Sequence, residues 1–324
     1  MPLWLIIICS FTILLAIGTG LGALILPPKG DAAAFYMVYP KIIATTGLLE
    51  PMQGPFYFFS SIGLPVELHY TALMVLGDGQ AAKFLIFSIA LSAGVMLSGI
   101  VRECGGKNIA VIITWSMLLS SVTFHHYIYD GKVDLAAAAY GLTAVYWTLK
   151  SFGKNNSLMP FVLSGWFAGL ATVAKFSYIL AFSVSMTTLF IWLVIHNYSN
   201  IKKHNYFFIK FTKIGFLIII SFCFAWLPQL IKNLVLFGAP LAPFLGENIS
   251  GNLLKQAWFS GNDTKKIIFT YPFALVFGRY PMQGGGLSFL FIAFIPFLFC
   301  LKKPNSWIES RILAVLFAGF MGIL

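Results

Sequence analysis

The chain has 324 residues, is 59% hydrophobic and only 10% charged, and has a mean hydropathy of +0.87; soluble domains carry about 25% charged residues, so a soluble globular fold is excluded. The net charge of +11 would suit nucleic acid, but the basic residues stand in short loops between apolar runs, which is the pattern of membrane topology and not of a nucleic-acid surface. Several runs approach the roughly 20 apolar residues that cross a bilayer as a helix, whereas barrels show short alternating segments.

In chain order the predicted spans are 3–26, 81–101, 109–127, 132–149, 158–174, 176–195, 214–235, 287–301 and a last one from 311 that the end of the chain interrupts. The fold class is therefore all-α: a polytopic transmembrane helical bundle of about nine spans, with a range of 8–10, read as one domain over 1–324. The first span is longer than a signal-peptide apolar region and no Lys or Arg precedes it, so it reads as an uncleaved anchor. Two connecting segments, 27–80 and 236–286, are too long to be turns. Both are broken by Pro and Gly and rich in aromatics, as in "GPFYFFSSIGLP" and "FTYPFALVFGRYPMQGGG", so short helices lying along the membrane interface are expected there. The last run begins only after Arg311 and ends at "LFAGFMGIL", so the sequence is expected to be a fragment of a longer protein. The four cysteines, Cys9, Cys104, Cys223 and Cys300, have no spacing that points to a disulfide framework or a zinc site.

Orientation follows from the loops. With the N-terminus inside, the inner loops hold Arg102, Lys107, Lys150, Lys154, Lys202, Lys203, Lys210, Lys213, Lys302, Lys303 and Arg311, eleven of the 21 basic residues. Eight of the ten acids fall on the outer side or at its boundary: Asp31, Glu50, Glu67, Asp78, Asp130, Asp134, Glu247 and Asp263. Acids contribute little to topology, and their gathering implies a polar working surface on the outer face.

Asp31 follows Pro27, Pro28 and Gly30, which end the first helix. As an N-cap it would accept hydrogen bonds from the next helix's free N–H groups; the same cap would hold a catalytic carboxylate in place. Asp130 and Asp134, in "YIYDGKVDLAAAAYGL", share a helix face at i, i+4 if the fourth helix starts early enough. Acids at the hydrocarbon boundary need a partner, and Lys132 and Lys175 are the structural candidates. Lys175 and Lys232 close the fifth and seventh spans, where a Lys either snorkels to the interface or holds a phosphate; Asn233 follows Lys232. Arg279 is the outer Arg among aromatics and could grip a phosphate with two parallel hydrogen bonds. His125 and His126 are adjacent and point in different directions, so a shared metal is not expected. No P-loop, GxGxxG, HExxH or GxSxG motif is present.

Taken in order, "GDAAAFYMVYPKI", "YIYDGKVDLAAAAYGL", "GLATVAKFSYI" and "WLPQLIKNLVLFGAPLAPF" resemble the bacterial multi-spanning glycosyltransferases of the GT-C superfamily, near the protein O-mannosyltransferases and the lipid A aminoarabinose transferase. The likeness covers most of the chain, and the order of the motifs carries its specificity. The resemblance implies a cell-envelope enzyme of the plasma (inner) membrane, N-terminus cytoplasmic, with its active site on the extracytoplasmic face. It would transfer a sugar, with inversion, from a polyprenyl-phosphate carrier to an acceptor hydroxyl on a lipid, glycan or protein. By motif position Asp31 is then the catalytic general base. Lys175, Arg279 and Lys232 would bind the donor phosphate, while Asp130, Asp134 and Asn233 would bind or orient the sugar. No second acid stands beside Asp31, so no metal site is assigned. Membrane lipid and the lipid-linked donor are the expected partners. The alternatives are a polysaccharide polymerase or ligase, which would lean on outer Arg and His, and a lipid-linked sugar flippase or transporter, whose ionisable groups should sit near the bilayer midplane.

Overall fold

The computed structural model describes residues 3–63, 65–152, 157–176, 178–201, 207–242 and 306–323. Every regular element among them is helical. In chain order these are α1 (Leu3–Ile25), a π-helical turn (Ala32–Tyr36), α2 (Val38–Thr46), a 3-10 helix (Gly54–Ser61), α3 (Pro65–Leu76), α4 (Gly79–Glu103), α5 (Asn108–Leu119), α6 (Val122–Asp130), α7 (Asp134–Ser151), α8 (Met159–Ala174), α9 (Tyr178–Ile201), α10 (Phe207–Phe237) and α11 (Ser306–Ile323).

Among the described residues four helices are long and apolar enough to cross a membrane: Leu3–Ile25, Gly79–Glu103, Tyr178–Ile195 and Thr212–Phe237. A fifth results if α5 and α6 form one bent span. The expected continuous span 109–127 is broken there, with a bend of 61°. Its cause is local: the Ser120 hydroxyl donates back to Met117 O, and Ser121 caps α6 by accepting from the Phe124 N–H, the competition with helical bonding that serine offers. At 132–149 and 158–174, where spans are expected, the chain forms the helices α7 and α8, and neither is among the helices long and apolar enough to cross a membrane. With 18 and 16 residues they are about 27 and 24 Å long, short of a typical hydrocarbon core of about 30 Å. The expected span 287–301 lies outside the described residues. Within 27–80 the chain forms short helices, as the breaker-rich sequence predicts.

The chain divides into two compact units. The first comprises Met1–Phe87, Trp115–Lys132 and Pro228–Leu301. Its α1 is apolar all round, with Leu14 66% and Ile25 71% exposed, the surface expected of a helix facing lipid. Polar side chains stitch it to its neighbours: Thr12 to Ser116 at 2.8 Å and Thr19 to His125 Nδ1 at 2.8 Å, the interhelical bonding used where no water competes. The hairpin of α2 and α3 packs in the same unit, burying Tyr39, Val66 and Tyr70.

The second unit comprises Ser88–Thr114, Val133–Leu227 and Lys302–Leu324. Here α7 and α8 pack together, each burying small residues, Ala136, Ala137 and Ala144 on one and Ser164, Gly165 and Ala168 on the other, and Thr148 bonds Ser164 at 2.6 Å. A Cβ on Gly165 would run into the backbone of Ile218, so a glycine is what lets α8 and α10 touch. Helices α9 and α11 close the core with Leu189, Leu193, Ala314 and Ala318 around Ile100 and Leu149.

Candidate functional site

After Pro27 and Pro28 the chain turns at Gly30, φ +53°, and enters the π-helical turn. Asp31 has helical backbone angles, φ −60° and ψ −31°, and its side chain makes no capping bond. The expected N-cap is therefore absent. A cap needs an extended backbone ahead of the first turn, whereas here the turn already includes Asp31, with the Ala32 N–H donating to Lys29 O. The carboxylate stays 57% exposed, with Lys132 Nζ at 3.8 Å. Lys132 in turn lies over the Tyr127 ring, 5.2 Å from its centroid. π-turns of this kind recur at functional sites.

A buried charge network lies in the same unit. Asp130, the last residue of α6, is 3% exposed, and its Oδ2 stands 3.2 Å from His126 Nε2. Lys83 at the start of α4 is 1% exposed, donates to the carbonyl of Leu26 at the end of α1, and feels the charge of Asp130. Gly131 ends α6 at φ +71°, and its carbonyl accepts from Tyr70 OH at 2.7 Å. The ends of α1, α4 and α6 thus meet around compensated charges, as buried ions require, and Lys132 follows immediately on the turn. The expectation that Asp130 and Asp134 share a helix face does not hold: the left-handed Gly131 ends one helix before Asp134 starts the next.

A second buried cluster forms where α10 meets the 3-10 helix. Lys232 is 5% exposed and donates to Ser60 O at 2.6 Å and Gly63 O at 3.2 Å; Gln229 donates to Ser61 O at 2.7 Å, and Asn233 to Ala242 O at 2.7 Å. Spaced i, i+3 and i+4, the three residues form one polar face gripping loop carbonyls. In this arrangement the Lys232 ammonium and the Asn233 amide hydrogen-bond to backbone carbonyls of the chain. Glu67, 5% exposed, supplies the countercharge to Lys232. Burial first, and the Glu67 charge second, push the Tyr39 phenol up to about 12. The Tyr39 hydroxyl is buried without a hydrogen-bond partner among the described residues.

In the second unit Lys175 leaves α8 in an extended conformation and reaches both oxygens of Asp134 at 3.2 Å, the partnership that an acid at the start of an apolar helix requires. Arg279 lies outside the described residues. His125 and His126 do diverge: His125 contacts Thr19 and the Leu119 carbonyl, and His126 contacts Asp130. No group of three or more His, Cys, Asp or Glu side chains gathers among the described residues.

Sequence reasoning did not single out Lys83 or Tyr39 and named Lys132 only as a counterion. For Lys83 a signal existed, a lone Lys five residues into the apolar run "GQAAKFLIFSIAL", which is costly without a partner. What the first unit offers chemically is an accessible carboxylate beside a cation, standing on a frame of buried, paired charges. Compared with protein-family models, characterised proteins and solved structures, the chain gives no match.

Proposed function

We propose that this chain is an integral-membrane glycosyltransferase of the GT-C kind, taking a sugar from a polyprenyl-phosphate carrier and giving it to an acceptor hydroxyl. The observation that carries the reading is Asp31: a carboxylate one turn beyond the first apolar helix, exposed, unused as a cap, and 3.8 Å from Lys132. In the proposed reaction Asp31 takes the proton of the acceptor hydroxyl as its oxygen bonds to the anomeric carbon. The bond from that carbon to the phosphate oxygen breaks on the opposite face, giving inversion. Lys132 stabilises the charge gathering on the departing polyprenyl phosphate, an effect strengthened where water is excluded. The apolar surface of α1 seats the prenyl chain. Phosphate-binding roles for Lys175 and Arg279 are carried by the sequence resemblance alone, and Lys232 and Asn233 are assigned to holding the loops. The reading includes a bundle of about nine spans in the plasma membrane, N-terminus cytoplasmic, with Asp31 on the extracytoplasmic side.

The test is a transfer assay on membranes containing the full chain, offered radiolabelled polyprenyl-phosphate sugars and, separately, the same sugars on nucleotide carriers. Transfer from the lipid-linked donors alone is expected. Transfer from nucleotide donors alone, or elongation of a polymer on its lipid carrier without sugar-phosphate consumption, would replace the proposal with a different transferase or with a polymerase.

A further inference from the structure

In the second unit a buried cation ties together two helix ends, and three exposed cations stand at those ends and the turn beside them. Arg311 of α11 is 4% exposed. Its Nη1 donates to the Glu103 backbone carbonyl at 3.1 Å and to Glu103 Oε2 at 2.6 Å, and its Nη2 donates to Leu149 O at 3.0 Å. One guanidinium thereby ties the last residue of α4 to the last turn of α7. Arg102 precedes the first of these residues and Lys150 follows the second, both exposed. Lys107 lies across the short turn between α4 and α5 and is exposed too, while Arg102 donates to Asn108 Oδ1 at 3.1 Å across that turn. Two acids stand at this end among the described residues: Glu103, neutralised by Arg311, and Glu309, half-buried on α11. The accessible charge is therefore positive.

Lys150 is also held at a defined height. Its ammonium bonds Tyr146 OH at 3.0 Å and lies 5.3 Å and 5.2 Å from the centroids of Tyr146 and Trp147. Tyr and Trp rings settle at the depth of lipid headgroups, so the cation they carry is placed where phosphodiesters are. We infer that the ends of α4, α5 and α7 form a binding site for an anionic phospholipid headgroup, with Arg102, Lys107 and Lys150 as its ligands. Charge complementarity selects the occupant: basic clusters between helices at a membrane surface attract acidic headgroups over zwitterionic ones.

The experiment uses the purified full chain in detergent, titrated with phosphatidylglycerol or phosphatidylcholine of matched acyl chains while thermal unfolding is followed by tryptophan fluorescence. Phosphatidylglycerol is expected to raise the unfolding midpoint and phosphatidylcholine to leave it unchanged. Each of Arg102→Gln, Lys107→Gln and Lys150→Gln is expected to weaken the response about fivefold, while Lys107→Arg retains it. Asp31→Asn, which removes the proposed base, is expected to respond as wild type. Equal responses to both lipids, full response in all three Gln variants, or reproduction of the shift by inorganic phosphate at the same concentration would overturn the inference. If a Gln variant fails to give a cooperative transition, lipid retained on the protein after delipidation, measured by native mass spectrometry for the other two, decides it in the same sense.

Discussion

Replacing Gly131 by alanine tests how tightly the charged end of the first unit is built. Gly131 ends α6 at φ +71° and Gly47 ends α2 at φ +70°, both in the left-handed conformation. Each donates its N–H back into the preceding turn, to Ile128 O and Ile43 O, so each replacement carries the same backbone cost of about 1–2 kcal/mol. They differ in what a Cβ would meet. At Gly47 nothing lies within 4 Å. At Gly131 the new atom would lie 2.7 Å from Met37 Cε and 3.0 Å from Lys83 Cγ. Met37 can swing aside, but Lys83 is pinned through its ammonium to Leu26 O, so overpacking adds about 1–3 kcal/mol. Unfolding of the detergent-solubilised protein, followed by tryptophan fluorescence with both variants beside wild type, gives the difference between the two losses directly. Gly131→Ala should lose clearly more than Gly47→Ala. Equal losses would mean that Lys83 is not fixed as described, and the account of the buried network would fail.

The Tyr39 phenol, raised to about 12 by burial and the Glu67 charge, stays protonated in the fold at pH values where it would ionise in the unfolded chain. Its contribution is whole below pH 10 and is lost as pH climbs toward 12, a fall of about 2–3 kcal/mol. Tyr39→Phe should flatten that slope without destabilising the protein at neutral pH, since the hydroxyl has no bond to lose among the described residues; a marked loss at pH 7 would show that the hydroxyl is bonded after all. Lys232→Met should cost about 3–5 kcal/mol, because it strands the Ser60 and Gly63 carbonyls and leaves Glu67 without its countercharge. The double variant with Glu67→Gln should recover part of that, measurable as a coupling energy in a double-mutant cycle. Asp31→Asn should change stability by less than about 1 kcal/mol, since an exposed pair at 3.8 Å contributes little.

The helices were legible where one signal decided them. The run 3–26 ends at a double proline and becomes α1 at Leu3–Ile25, and 158–174 becomes α8 at Met159–Ala174. That Asp134 needs a cation was legible as well, because an acid beginning an apolar helix must find one; of the two candidates, Lys132 and Lys175, the structure pairs it with Lys175. What the sequence concealed depended on short-range backbone geometry. Two serines divide an apolar stretch that periodicity reads as one helix, and a single left-handed glycine separates two aspartates whose spacing matches a helix face. Asp31 carries the residue type of a cap, yet its backbone is already helical. Lys232 looks like any interfacial lysine until the loop 60–63, distant in sequence, supplies the carbonyls that surround it. Such long-range partners leave no trace in local pattern, whereas the Lys83 ammonium inside an apolar run was a signal open to use.

The proposal depends on Asp31 being the base, and the most direct measurement is the single-turnover rate of sugar transfer from a polyprenyl-phosphate donor by Asp31→Asn and wild type, with the unfolding midpoint recorded on the same samples. The account predicts a rate lower by at least about a hundredfold at an unchanged midpoint. A variant that transfers at the wild-type rate would contradict it.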